Sequence, residues 1–466
     1  MAKQEKKVLT FGDGINTGVP PLMIKDTENV YSRNMDTREY PAYTVRPPRS
    51  TYAIAMSTNA LSLGQRINSQ LHAVNGNTWQ YWPSGSTAWT ILTTALSNTE
   101  AEFHEFVTGT TRYSLMMNGT TERRYWDGAS TAATLGDANT PDTKYFTVHK
   151  GRIYALKGAV IYFSALNLIN DWTTVNDSGS ISIVRAKGDG TGITTYADHV
   201  IVFTEYSMHE LWGTGPSNYE LIDVEGNKGC ISHRSIATAN RRLFWLWHNE
   251  VCEYGGGAGK KVSDAVNHYL ENINLTYREK CVGGATGDYY YLSIPYGSSA
   301  TQNNLLLKYD TRLGKWNVEP GNFIDFVTIG NTLYGVDNTG QVWNMRNMSV
   351  TEGLDSATPI AWEFITKPFT EGHIGEPKTV SDLWLVADIS TGSTSFSVGY
   401  NLSVNNNDST SFTALATMSG SSEVQNQRII PPLNAISKAN WYRLRFAGTG
   451  KATIHYMQKN YGITEG

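Results

Sequence analysis

The run Gly255-Gly256-Gly257-Ala258-Gly259-Lys260 comes nearest to a chemical motif in this chain. A phosphate loop reads Gly-x-x-x-x-Gly-Lys-Ser/Thr: backbone N–H groups wrap the phosphates, and a hydroxyl reaches the magnesium ion. In that register Tyr254 occupies the first glycine position and Lys261 the hydroxyl position, so the motif fails at both ends. Gly188-Asp189-Gly190-Thr191-Gly192 lacks the third glycine of a dinucleotide-binding turn. In both places glycine is read as the residue of tight turns between strands.

Other chemistry is equally incomplete. There is no Gly-x-Ser-x-Gly elbow to present a serine nucleophile. His209-Glu210 lacks the second histidine of a zinc-protease helix and lies in a stretch with strand character. No acidic run has calcium-loop spacing, and the 3 Cys and 10 His do not fall at zinc-ligand spacings. A glycosidase would need paired acids converging in one funnel. Asp127, Asp171, Asp189 and Glu205 are acids of the right type, but nothing in the sequence makes them converge. The chain is therefore read as a non-enzyme without catalytic, cofactor-binding or metal-ligating residues.

The elements around these stretches repeat. β-rich runs centred on Leu71, Tyr113, Ile153, Ile201, Leu243, Tyr290 and Leu333 recur about every 44 residues, the length of one four-stranded propeller blade. A second run follows each after a turn: Thr78–Trp82, Arg123–Trp126, Val160–Ser164, Ser207–Trp212, Glu250–Tyr254, Leu305–Tyr309 and Gln341–Met345. Val200–Thr204 and Leu243–Trp247 are expected as inner strands of successive blades. Gly188-Asp189-Gly190 and Gly255-Gly256-Gly257 are expected at crossings between sheets. A single four-stranded sheet cannot bury both faces; blades in a ring can. The 26 Tyr and 13 Trp then fill the wedges between blades. The spacing of Val262, Val266, Tyr269, Leu270 and Ile273 predicts a short helix between two blades, with Ser263 as its N-cap.

The ends differ from the middle. Residues 1–50 are broken by Gly12, Gly14, Gly18, Pro20, Pro21, Pro41, Pro47 and Pro48, which predicts an extended arm clinging to other surfaces. After the polar linker near Ser349–Pro359, the alternation of Phe396, Val398 and Tyr400, and of Tyr442, Leu444 and Phe446, predicts about seven strands of a β-sandwich. Loops are expected at Asn405–Asp408 and Ser419–Ser422. The reading is all-β: an extended N-terminal arm (1–50), a six- or seven-bladed β-propeller (51–350) and a C-terminal β-sandwich (358–466).

Composition narrows the function. With 38 Lys+Arg against 42 Asp+Glu, the formal charge is −4, and no basic stripe of the kind that grips phosphates is present. Three cysteines in 466 residues form no disulfide framework, which fits a reducing cytoplasm. No secretory signal and no apolar membrane span is read, so no membrane anchor is expected.

Gly14-Ile15-Asn16, Pro20-Pro21, Asn34-Met35-Asp36 and Arg46-Pro47 occur in the order found at the start of tail nozzle, or tail hub, propeller proteins of tailed bacteriophages. The segments GDGTGITTYADHVIVFTEYSMHELWG, KGCISHRSIATANRRLFWLWHNEVCEYGGG and LLLKYDTRLGKWNVEP resemble later parts of that family, as does Phe364 to Gly372 before the sandwich. The REYPAYTVRPP stretch lacks the usual glycine before its Arg-Pro end. The resemblance covers most of the chain and rests on shared order. It implies a structural protein of the virion tail, made in the host cytoplasm and assembled as a homo-oligomeric ring, most often a hexamer. The partners it implies are the portal and adaptor proteins above, tail fibres or spikes at the side, and double-stranded DNA passing transiently through the lumen. The arm would then serve as an intersubunit strap. Two other readings stand beside this one: a glycan-binding or glycan-cleaving receptor-binding propeller, with exposed aromatics and acids grouped at one end, and a scaffold propeller that binds cellular proteins.

Overall fold

The computed structural model describes residues 3–66, 70–83, 85–224, 226, 228–389, 395–403, 412–419, 421–431, 436 and 439–463. The loop expected at Asn405–Asp408 lies outside these residues, as does Gly420 of the Ser419–Ser422 loop.

Among the described residues, seven four-stranded antiparallel sheets follow one another along the chain. Every repeat centre read from the sequence lies in the second strand of a blade: Gln70–Asn75, Thr111–Met117, Arg152–Lys157, His199–Thr204, Arg242–Trp247, Tyr289–Ile294 and Thr332–Asp337. The first strands pack on one another around the axis, including Phe323–Ile329 of blade 7 against Ala60–Arg66 of blade 1. The first strand is thus the inner one. Val200–Thr204 and Leu243–Trp247 stand one position further out than expected, because each chain crossing delivers its next strand to the axis before the hairpin turns outward. Gly188-Asp189-Gly190 does lie at a crossing, between Gly179–Ser182 and Gly190–Tyr196. Gly255-Gly256-Gly257 instead turns within blade 5, between Glu250–Tyr254 and Lys260–Lys261.

Period-two alternation builds the ring. Leu243 and Trp245 face blade 4, packing with Ile201 and Phe203. Phe244 and Leu246 face blade 6, packing with Tyr290 and Leu292. Equivalent clusters fill the other blade junctions. Trp79, Trp245 and Trp316 are fully buried in them, so these indoles are wedge filler. Blade 7 takes its fourth strand from far upstream: Ser50–Thr51 pairs with Trp343 and Asn344. That pairing ties both ends of the propeller segment into one sheet.

Between blades 5 and 6, a 3-10 turn (Asp264–Val266) leads into the short helix Asn267–Glu271. Val266, Tyr269, Leu270 and Ile273 are buried, as their spacing predicts. Ser263 does not cap the helix; its Oγ accepts the Val251 N–H at 3.0 Å instead.

The sandwich has two sheets. One orders Met35–Asp36, Tyr43–Val45, Ala452–Ile463, Lys378–Ile389 and Ser421–Ile429, with Lys3–Leu9 also paired to Ala452–Ile463. The other orders Asn29–Arg33, Ala361–Thr366, Trp441–Thr449, Ser395–Ser403 and Thr413–Ser419. Among the described residues, the C-terminal region supplies seven strands of these sheets, and residues 3–45 supply four more. Phe11 packs between Phe364 and Phe446 at centroid distances of 5.4 and 5.3 Å. The segment expected as an arm is therefore woven into its own chain. Its glycines and prolines mark turns between short strands, which local pattern alone does not separate from an extended tail.

Candidate functional site at the propeller axis

The axis is crossed by side chains that the sequence does not single out. His233–Ser235 forms a 3-10 turn on the link between blades 4 and 5. From it the Arg234 guanidinium reaches across the axis. Its Nη1 donates to the carbonyl oxygens of Leu61 in blade 1 and Ile324 in blade 7, both at 3.1 Å. Glu100 pairs with it at 2.6 Å, and Asp325 lies at 3.7 Å. Asp325 accepts the backbone N–H groups of Leu63 and Phe326 at 2.8 and 2.9 Å. Glu102 faces His233 at 3.5 Å and His104 at 3.9 Å. Arg234 thus plugs the channel with bonds to blades on the far side of the ring.

Burial sets the protonation of this plug. Glu102 is pushed up to about 8 by burial, with the Asp325 charge adding to it. Asp325 rises to about 6 through burial, which the Arg234 charge opposes. Burial lowers His104 to about 4 and His233 to about 3. Burial also works to raise Glu100, but Arg234 and Lys144 hold it below the ordinary carboxylate range. At neutral pH the charged core of the plug is Arg234 with Glu100 and Asp325, and both imidazoles are neutral.

Cavities flank the plug on both sides. One, of about 420 Å³, is lined by Lys144, Tyr145, Thr191, Glu205, Tyr206 and His248 among others. The other, of about 190 Å³, lies beyond Glu102, His233 and Arg234 and reaches His104, Ile193 and Asp325.

The acids named from the sequence do not converge. Asp127 accepts the N–H groups of Ala129 and Ser130 in its own turn. Asp171 does the same for Thr173 and Thr174. Asp189 is exposed, and of the four only Glu205 lines an axial cavity. Cys230, Cys252 and Cys281 are buried free thiols. Burial raises Cys230 and Cys252 to about 12, far from the reactive range. Among the described residues, no group of three or more His, Cys, Asp and Glu has metal-holding geometry. No helix among them is long and apolar enough to cross a membrane.

One constellation does have hydrolase geometry. Ser207 Oγ lies 2.8 Å from His209 Nε2, and His209 Nδ1 lies 2.8 Å from Asp223 Oδ1. A working nucleophile also needs an open face and oxyanion donors. Here Ser207 is 6% exposed, its Oγ accepts the Lys187 N–H at 3.2 Å, and Thr204 Oγ1 lies 2.6 Å away. It lines neither axial cavity. The relay fastens the Lys187 crossing to blade 4. The Ser-x-His spacing was readable in the sequence, but Asp223 joins only through the neighbouring strand.

A second polar network joins propeller to sandwich. Asp36 and Lys308 form an ion pair in which both side chains are fully buried. Lys308 Nζ sits 4.2 Å from the Tyr289 ring centroid. Tyr43 donates to Asn317 at 3.0 Å. Arg46 bonds Asp355 at 2.9 Å, and Arg49 pairs with Glu319 at 2.5 Å. All the N-terminal partners come from residues 36–49, facing blade 6 and the linker that follows blade 7.

No protein-family model matches the chain, and no curated protein matches it. Among solved structures, the extracellular domain of a putative one-component system from B. thetaiotaomicron is similar at TM-score 0.45 and 11% identity, over 63% of this chain and 39% of that one. This chain thus spans well under half of that protein's length. BamB from Moraxella catarrhalis is similar at TM-score 0.40 and 10% identity, over 69% of this chain and 98% of that one. YCF48 from Cyanidioschyzon merolae is similar at TM-score 0.43 and 9% identity, over 64% of this chain and 98% of that one. The all-β propeller assignment stands on the strand order given above.

Proposed function

We propose that this chain is a structural component of a bacteriophage tail: a nozzle or hub subunit that assembles as a ring around a DNA conduit and offers docking surfaces to adaptor and fibre proteins. The observation that carries this reading is the buried junction between the two domains. Asp36–Lys308 and the Arg46, Arg49, Glu319 and Asp355 network lock propeller and sandwich together through a segment that belongs to both. Such a junction suits a wall element that holds its shape under load rather than a hinge that closes on a substrate.

The plug supports the same reading. With Arg234 across its axis, a single propeller offers no passage, so a conduit must be enclosed by several copies. The formal charge of −4 suits a wall that duplex DNA slides past, because phosphates are not gripped. The ordered sequence resemblance is the third support. Electron microscopy of the purified protein and of phage particles tests the proposal: an axial ring in the tail is expected, and a protein absent from the tail or placed off its axis would refute it.

A further inference from the structure

The larger axial cavity holds groups that the plug leaves unused. Its volume of about 420 Å³ falls within the range of small-molecule sites. Tyr206, 47% exposed, stacks on His248 with centroids 5.7 Å apart and rings 30° from parallel. Each sits on the turn between the second and third strands of its blade, Tyr206 in blade 4 and His248 in blade 5. His248 holds a φ of 49°, a left-handed backbone uncommon for a non-glycine residue and kept only where its surroundings impose it. Together they present a supported aromatic face at the rim.

The polar lining is neither anionic nor cationic in balance. Among the described residues, the carboxylates of Glu205 and Glu279 and the guanidinium of Arg278 enter no ion pair and no side-chain hydrogen bond. Thr191 Oγ1 is buried without a partner. Lys144 and Glu100 pair with each other at 3.5 Å. With Lys144 and Arg234 also in the lining, charges of both signs are mixed, so neither a phosphate nor a metal cation meets a site of one sign. Free acceptors and donors side by side, beneath an aromatic face, match a ligand that has many hydroxyls, no charge and one apolar side.

We propose that this cleft binds a neutral saccharide. A pyranose ring stacks on Tyr206, and its hydroxyls bond to Glu205, Glu279, Arg278 and Thr191. The site lies within one propeller, so it stands or falls independently of the ring. No bond is broken in this proposal; the function is recognition.

The test is calorimetric titration of the full-length protein with maltotriose, cellotriose and tri-N-acetylchitotriose, each to about 10 mM. At least one is expected to bind with a millimolar or tighter Kd. Tyr206→Ala and Glu205→Gln should each weaken that binding about tenfold. Thr191→Val, nearly isosteric, tests the cleft without removing a rim side chain, and it should weaken binding too. Trp212→Ala removes an exposed indole that does not line the cleft and should leave binding unchanged. Thermal melts confirm that each variant is folded. Absence of binding by all three probes would overturn the proposal, as would equal affinity in the wild type and Thr191→Val. Micrographs of the same samples report on ring formation separately.

Discussion

At the scale of single residues, two of the places where the fold buries charge each make a distinct prediction. Asp36 and Lys308 are fully buried partners. Removing one leaves the other charge without compensation, so Lys308→Met should cost about 3–5 kcal/mol in urea-melt stability. Asp36→Leu combined with Lys308→Met should recover most of that loss, since an apolar pair replaces both charges. At the axis, Glu102 titrates near 8 in the folded chain against 4.5 as its ordinary value. A raised acid pKa means the folded state binds the proton more tightly, so this contribution to stability is lost as pH rises from 4.5 towards 8. Asp325 acts in the same sense below about 6. His104 and His233, lowered from 6.5, act in the opposite sense as pH falls below 6.5. Of these four axial groups, Glu102 is the one that operates between pH 6.5 and 8. Glu102→Gln should therefore flatten the stability profile there, removing a fall of about 1–2 kcal/mol. A parallel profile in variant and wild type would show that Glu102 is not held protonated. None of the axial cluster was legible in the sequence. Residues 100–104, 233–234 and 325 lie on different blades and meet only when the ring closes. Glu102 and Asp325 stand near the starts of the inner strands of blades 2 and 7, but no other inner strand repeats a charge there, so no periodic signal marks the cluster.

At the scale of elements, the blades were legible and the N-terminal segment was not. Runs such as Leu243–Trp247 are continuously apolar, as a strand buried on both faces requires, and each face meets a neighbouring blade, so local pattern and tertiary role coincide. Residues 3–51 hold strands of two to seven residues, most of which pair with partners hundreds of positions away, and short strands among glycines leave no periodic signal. Pairing within the chain changes what deletion should do. Losing residues 1–50 removes Leu9, Phe11, Met35, Tyr43 and Val45 from the sandwich core and Ser50 from the closing strand of blade 7. That deletion is expected to give a chain without a cooperative melt rather than a folded, assembly-deficient subunit; near-ultraviolet circular dichroism would decide. A milder probe is Gly18→Ala. A Cβ there would meet the Asp264 carbonyl oxygen at 1.9 Å, and the Thr17 N–H bonds the Ala265 carbonyl at 2.7 Å beside it. The substitution should loosen this loop from the propeller, seen as new proteolysis between residues 12 and 28, while the blades stay protected.

At the scale of the whole molecule, propeller and sandwich act as one block whose axis is shut, and the proposed conduit is the space that several blocks surround. In the proposed ring, shape within a subunit comes from the buried junction and the bore from symmetry. The most direct test is a reconstruction of the tail from phage particles, with the purified protein imaged alongside. A closed ring on the tail axis is expected, with a bore wide enough for duplex DNA between subunits and Arg234 density crossing each propeller. A monomeric disc in solution with no matching density on the tail axis would contradict it.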